Sequence, residues 1–141
     1  MNRIIKMIDK NVNVDEMNPA NLAYVGDAVY EIYIRSKITL EKNRTIKDLN
    51  KEAMKYVKAN MQAECFKHIE PMLNEEELEI YKRCRNHKGR ISSNSATVSD
   101  YRMATGLEGL LAYLFLKERF DRLDEIMEEI YKFKNENTDL K

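Results

Sequence analysis

The chain is poor in residues that break regular structure, with only 4 glycines and 2 prolines in 141 residues. Breakers this scarce, set among many Lys, Glu, Met and Leu, argue against a turn-rich β fold and for an all-helical one. It also has only 2 cysteines. Cys65 and Cys84 form no C-x-x-C pair, but each precedes a histidine by three positions, as Cys65…His68 and Cys84…His87. By residue type alone the four suggest a zinc site. The spacing matches no common zinc module, and Cys65 falls on an apolar helical face, where a free cysteine is core filler. Reduced thiols of a cytoplasmic protein are the simpler reading. No apolar run is long enough to cross a membrane, and the stretch Met1–Lys10 lacks the apolar core of a secretory signal. Neither a G-x-S-x-G elbow nor a glycine-rich phosphate loop occurs. Neither sign of charge is in excess: 24 basic residues balance 24 acidic ones. Net charge therefore neither implies nor excludes a nucleic-acid partner, and the distribution has to decide.

What is present reads as one helical domain over residues 1–141, with no repeat, linker or internal boundary. A first helix is predicted from about Pro19 to Lys37, with Asn18 as N-cap and Leu22, Val25, Val29 and Ile32 as its apolar stripe. Thr45-Ile46-Lys47-Asp48 resembles a capping box that opens a single helix through Phe66. After Pro71, Asn74 caps a helix with Glu75, Glu76 and Glu77 in its first turn, the charge that suits that end. Two more helices are predicted, from about Ser99 to Lys117 and from Leu123 to about Lys134, the last capped by Asp121.

Three of the four glycines stand beside carboxylates inside apolar helical runs. Gly26 precedes Asp27 in Ala23-Tyr24-Val25-Gly26-Asp27-Ala28-Val29-Tyr30, and Gly106 and Gly109 flank Glu108 in Thr105-Gly106-Leu107-Glu108-Gly109-Leu110-Leu111. A glycine in a helix interior costs about 1 kcal/mol relative to alanine, and a carboxylate among core side chains costs more unless it is paired or holds a metal. Both penalties fall on the same two segments. That suggests a place where backbones come close and Asp27 and Glu108 converge on a cation. Two carboxylates with water completing the shell suit Mg2+, which activates water against a phosphodiester. The bland alternative is two partly exposed acids on amphipathic helices.

From Lys82 to Arg90 there are five Lys or Arg and no acid. A solvated helix end would account for it, since cations suit a helix C-terminus. As phosphate contacts, Arg83, Arg85, Asn86, Lys88, Arg90 and the serines that follow are the side-chain types that bind phosphate and sugar oxygens. Beside a hard-metal carboxylate pair, the segment points to phosphodiester chemistry on nucleic acid.

Asn21-Leu22-Ala23-Tyr24-Val25-Gly26-Asp27-Ala28-Val29-Tyr30-Glu31 resembles the signature helix of the ribonuclease III catalytic domain. Tyr101-Arg102-Met103-Ala104-Thr105-Gly106-Leu107-Glu108-Gly109-Leu110-Leu111 resembles its second acidic motif. With Arg85-Asn86 between them, the variants look like the mini-ribonuclease III subfamily, which is the catalytic domain alone. The resemblance spans about Asn18 to Tyr131. It implies an all-α homodimer that cleaves double-stranded RNA with Mg2+ held by Asp27 and Glu108, and in bacteria matures the precursor of large-subunit ribosomal RNA. It also places Tyr24 at the dimer interface. Ala23 and Thr105 stand where full-length ribonuclease III has acids, which halves the acidic ligand set, and no separate double-stranded-RNA-binding domain is expected. Two other functions remain open on these residues. One is a non-catalytic RNA-binding or ribosome-associated module, for which Ala23 and Thr105 speak. The other is a helical nucleotide pyrophosphohydrolase, whose acid array is approached only by Glu125…Glu128.

Overall fold

Asn18 and Pro19 start the first long helix as their chemistry dictates. The Asn18 side chain accepts the Ala20 N–H at 2.8 Å, and Pro19 takes the first helical position, where no N–H is needed. The structure, a computed structural model, describes residues 12–87 and 97–139, with side chains through residue 136. Among these there are six α-helices and no strand: α1 Pro19–Glu41, α2 Ile46–Val57, α3 Ala59–Ile69, α4 Glu75–Asn86, α5 Val98–Leu116 and α6 Phe120–Asp139. Short 3₁₀ turns, Val14–Glu16 and Glu70–Met72, precede α1 and α4.

α1 runs a turn beyond the predicted end at Lys37. No breaker intervenes, and Ile38 is buried in the core, so packing carries the helix on. Its inward face also differs from the predicted stripe. Leu22, Gly26, Val29, Tyr30, Ile34 and Ile38 are buried, while Ile32 is 63% exposed.

The single helix expected from Thr45 to Phe66 is two. Thr45 caps the start as predicted, accepting the Asp48 N–H at 3.2 Å. The chain then breaks at Lys58, whose backbone is extended. α2 buries only Tyr56, whereas α3 buries Gln62, Ala63, Cys65, Phe66 and Ile69. Two axes let each segment present its own face. No glycine or proline marks the bend, so it has no local sequence signal. The Gln62 amide nitrogen donates to the Val57 carbonyl at 3.1 Å and satisfies the end of α2.

Asn74 and Glu77 form a reciprocal capping box at the start of α4, with bonds of 2.9 and 3.0 Å. Thr97 and Asp100 do the same for α5. Asp121 is not a cap: α6 begins at Phe120, which places Asp121 in its first turn. Glu118, at φ 59°, takes the left-handed conformation between α5 and α6.

α5 is the central element, with Ala104, Gly106, Leu107 and Gly109 to Leu114 buried. α1, α3 and α4 pack around it. Its glycines make room for α4. A β-carbon on Gly106 would overlap the Tyr81 ring, and one on Gly109 would overlap the Cys84 thiol. Cys84 and Cys65 are thus free thiols in the core, and burial pushes each up to about 11. His68 is stacked on Phe133 and bonded to Glu129 at 2.8 Å, away from any thiol bond. No group of three or more His, Cys, Asp or Glu among the described residues is placed to hold a metal, so the zinc arrangement does not form.

Candidate active site

α1 and α5 cross backbone to backbone. A β-carbon on Gly26 would land in the Glu108 carbonyl group, so only glycine permits this approach. The next residue on α1 is Asp27, which is exposed, and Glu108 on α5 is partly buried beneath it. The sequence placed each acid beside a glycine, and the glycine contact is what brings the acids together.

Glu108 is the perturbed group of this crossing. Burial first, then the charge of Asp27 and a hydrogen bond with it, push Glu108 up to about 8. The Gln62 amide of α3 pulls the other way, while Glu31 of α1 adds a weaker repulsion. Three helices thus contribute: Asp27 and Glu31 from α1, Gln62 from α3 and Glu108 from α5. Glu31 also pairs with Arg35 at 3.0 Å.

These residues fit a hard divalent cation. Glu108, whose charged form burial and the Asp27 charge disfavour, would ionise against a cation, and the oxygens of the two carboxylates suit Mg2+ with water in the remaining positions. Thr105 donates its hydroxyl to the Tyr101 carbonyl one turn back at 2.9 Å, so only its lone pairs remain to be offered. Ala23 is buried and offers no oxygen.

Of the basic candidates, Arg85 and Asn86 end α4. Asn86 is exposed, and the Arg85 side chain bonds Asn86 at 3.0 Å and lies over the Tyr81 ring. Lys88 and Arg90 lie outside the described residues. Arg83 is held differently from Arg85. Its guanidinium turns back to the carbonyls of Asp15 and Met17, the latter at 3.0 Å, and clamps the segment before α1. That bonding commits one N–H of each terminal nitrogen to the chain itself. Tyr24 is 83% exposed and shares the outer face of α1 with exposed Ala28 and Ile32.

Two residues near the acids escaped the sequence reading. Glu31 had a signal, since it lies four positions after Asp27 and so on the same helical face. Gln62 had a weaker one, a lone polar residue on the apolar face of α3.

This crossing belongs to a known class of protein. The ribonuclease III domain model matches residues 20–119, and the chain belongs to that family, whose members of this type are endoribonucleases. Within it, the similar curated relatives are mini-ribonucleases. Mini-ribonuclease 3 of Clostridium tetani is 42% identical over 127 residues, covering 89% of this chain and 84% of that one. Mini-ribonuclease 3 of a Thermoanaerobacter species is 48% identical over 112 residues, covering 79% of each. A crystal structure of a Fusobacterium nucleatum protein superposes with a TM-score of 0.77 at 30% identity, covering 86% of this chain and 97% of that one.

Proposed function

We propose that the chain is the catalytic unit of a Mg2+-dependent endoribonuclease that cuts double-stranded RNA, with Asp27 and Glu108 as the cation-holding acids. The observation that carries this is the Gly26–Glu108 approach, which fixes the two acids side by side. Bound there, Mg2+ would activate water and steady the departing 3′-oxygen. The chain's own part is to hold that charge and to align the phosphodiester. Arg85 and Asn86, with Lys88 and Arg90 beyond them, are the phosphate contacts of this reading.

Double-stranded RNA is recognised mainly by shape, through phosphates and 2′-hydroxyls, and one small helical unit has limited surface for that. A two-fold homodimer would present two sites and two basic segments, one set per strand. The exposed Tyr24, Ala28 and Ile32 on α1 support such a self-complementary surface. Likeness to the mini-ribonucleases supports a cytoplasmic enzyme acting on the precursor of large-subunit ribosomal RNA. No described helix is long and apolar enough to cross a membrane.

The test offers duplex RNA, single-stranded RNA and nucleoside triphosphates with and without Mg2+. Metal-dependent cutting of the duplex alone is expected. RNA binding without cutting would instead identify a module that kept the fold and lost the chemistry, as Ala23 and Thr105 would allow. Triphosphate hydrolysis would identify a pyrophosphohydrolase. Products mapped on ribosomal RNA precursor at nucleotide resolution decide the natural substrate. Sedimentation at micromolar concentration decides the dimer, and a fully active monomer would refute it.

A further inference from the structure

α2 is amphipathic, yet the only residue it buries fully is Tyr56. Its apolar side chains Ile46, Leu49, Ala53, Met54 and Val57 recur at helical spacing, and Ile46 is 73% exposed and Met54 46%. Single exposed apolar residues are ordinary on a protein surface. These share one face, and that face lines a groove whose other wall is α1. The groove has a volume of about 550 Å3. Small-ligand sites span roughly 300–1,000 Å3, with an apolar lining and a few polar groups. Here the polar groups include Arg35, Thr39, Asn50 and Lys51, all exposed.

Three chemistries meet in the groove. The apolar lining suits the faces of a planar base. Thr39 and Asn50 bring a hydroxyl and an amide, each able to donate and to accept, as the edge of a base requires. Arg35 and Lys51 suit phosphate. The groove is also continuous with the acids. Asp27, Glu31 and Arg35 follow one another at four-residue spacing on one ridge of α1, about 6 Å apart along its axis. Glu31 thus stands one turn from Asp27, lines the groove, and holds Arg35 through a bond of 3.0 Å from its Nη2.

We propose that the α1–α2 groove receives one unpaired nucleobase of the RNA, so that the enzyme favours duplexes carrying a bulged nucleotide a few positions from the cut. This rests on the endoribonuclease reading above and names a substrate class within it. Energetics select an unpaired base. Extruding a paired one costs a few kcal/mol of stacking and pairing, most of which a bulged base avoids. No aromatic side chain lines the groove among the described residues, so it lacks the stacking energy to draw a paired base out.

The experiment uses the full chain and duplexes of one sequence. One is fully paired, a set carries a single bulged nucleotide at successive positions beside the cut, and a matching set has an abasic residue in place of the bulge. kcat/KM is measured for each in Mg2+, and a bulged 2-aminopurine reports on the base itself in Ca2+. We expect one bulge position to raise kcat/KM at least about tenfold over the paired duplex, the lower end of what one apolar pocket discriminates. The abasic residue should erase that preference, and the bound 2-aminopurine should shift its emission to the blue as it leaves water. Ala53→Phe, which fills the groove, should bring the ratio of bulged to paired kcat/KM toward unity. Asn50→Leu changes an exposed side chain, so it serves should the first variant disturb α2, and it should lower the same ratio.

A paired duplex cut as well as every bulged one overturns this inference and leaves the endoribonuclease reading intact. A preference that survives the abasic residue also overturns it, because the enzyme would then be reading a bend in the backbone. So does an Ala53→Phe chain that keeps the ratio but loses its oligomeric state, which would make the groove a contact between copies. A wild-type chain that cuts none of the duplexes overturns the reading on which the inference rests.

Discussion

Gly26 of α1 lies against the backbone of Glu108 on α5, so closely that a β-carbon would occupy the space of the Glu108 carbonyl. The atoms in the way are backbone and cannot swing aside as a side chain would. Overpacking of a core usually costs about 1–3 kcal/mol, and Gly26→Ala should fall at the upper end or beyond. Urea denaturation measures the loss. The variant should also lose most of its cleavage activity, because the helices must separate and carry Asp27 away from Glu108. Wild-type stability together with wild-type activity would mean that the helices do not meet at Gly26.

Asp27→Asn is the sharper chemical test. It keeps shape and removes the charge offered to a cation. Asp27 is exposed, so the fold should not depend on it. We expect cleavage to fall by at least about 100-fold, with the circular dichroism spectrum and oligomeric state unchanged; effects of this size follow loss of a group that acts in the transition state. Near-wild-type cleavage would remove Asp27 from the site.

The acids were legible in the sequence because each stands by a helix-interior glycine, although the burial penalty of a carboxylate falls on Glu108 alone, Asp27 being exposed. The caps were legible for a similar reason: Asn18, Thr45 and Asn74 use purely local chemistry. The break at Lys58 was not. It is imposed by α3 turning Gln62, Cys65 and Phe66 toward α5, and nothing local at Lys58 signals it. The contacts of Arg83 were hidden for the same reason. Its position in a basic run pointed to phosphate, but its partners are carbonyls some 66 residues away in sequence. Ile32 had the right spacing for a core stripe, yet the position of Gly26 against α5 rotates α1 and turns Ile32 outward.

Cation binding should be linked to protons. In the unfolded chain Glu108 loses its proton near the ordinary 4.5, whereas in the fold burial and Asp27 delay this to about 8. Between those values the unfolded chain binds fewer protons than the fold, so the metal-free protein loses stability as pH rises from about 4.5 to about 8. A divalent cation needs the charged form and displaces the proton. Its apparent affinity should therefore rise with pH, up to about tenfold per unit, and level off near 8. Mn2+ titrations at pH 6, 7 and 8 in two buffers of different ionisation enthalpy would show it. Affinity independent of pH over that range would mean that Glu108 is already charged without metal.

A buried ion pair joins α4 to α6. The Glu77 side chain is 2% exposed and receives Arg122 through bonds of 2.8 and 2.9 Å, besides capping Asn74. Burial alone would raise the Glu77 carboxyl, but Arg122 and the Asn74 N–H outweigh it and hold it below the ordinary value. The resulting stabilisation is present above pH 4.5 and is lost as pH falls through the lower folded value. Arg122→Met leaves the Glu77 charge buried without that partner, which typically costs about 3–5 kcal/mol. We expect a loss of that order at pH 7 that shrinks under acid. A loss that stays constant down to pH 3 would assign it to packing of the arginine stem instead.

The basic segment should govern RNA affinity and leave hydrolysis alone. Arg85 and Arg83 are two residues apart yet differ in what they hold. Among the described residues Arg85 reaches Asn86 through its Nε and lies over the Tyr81 ring, a looser hold than that of Arg83. Arg83 is tied to the Asp15 and Met17 carbonyls. Neutralising a phosphate releases counterions, and losing one such contact lowers the salt slope of binding by about 1. Arg85→Ala should therefore weaken duplex binding and flatten its dependence on log salt, with kcat at saturating RNA changed far less than by Asp27→Asn. Arg83→Ala should leave the salt slope as it is and lower the melting temperature, because the segment before α1 loses its clamp. Fluorescence anisotropy on an uncut duplex in Ca2+, from about 50 to 200 mM salt, separates the two. Identical slopes for wild type and Arg85→Ala would show that the end of α4 is only a solvated helix terminus and that the duplex docks elsewhere.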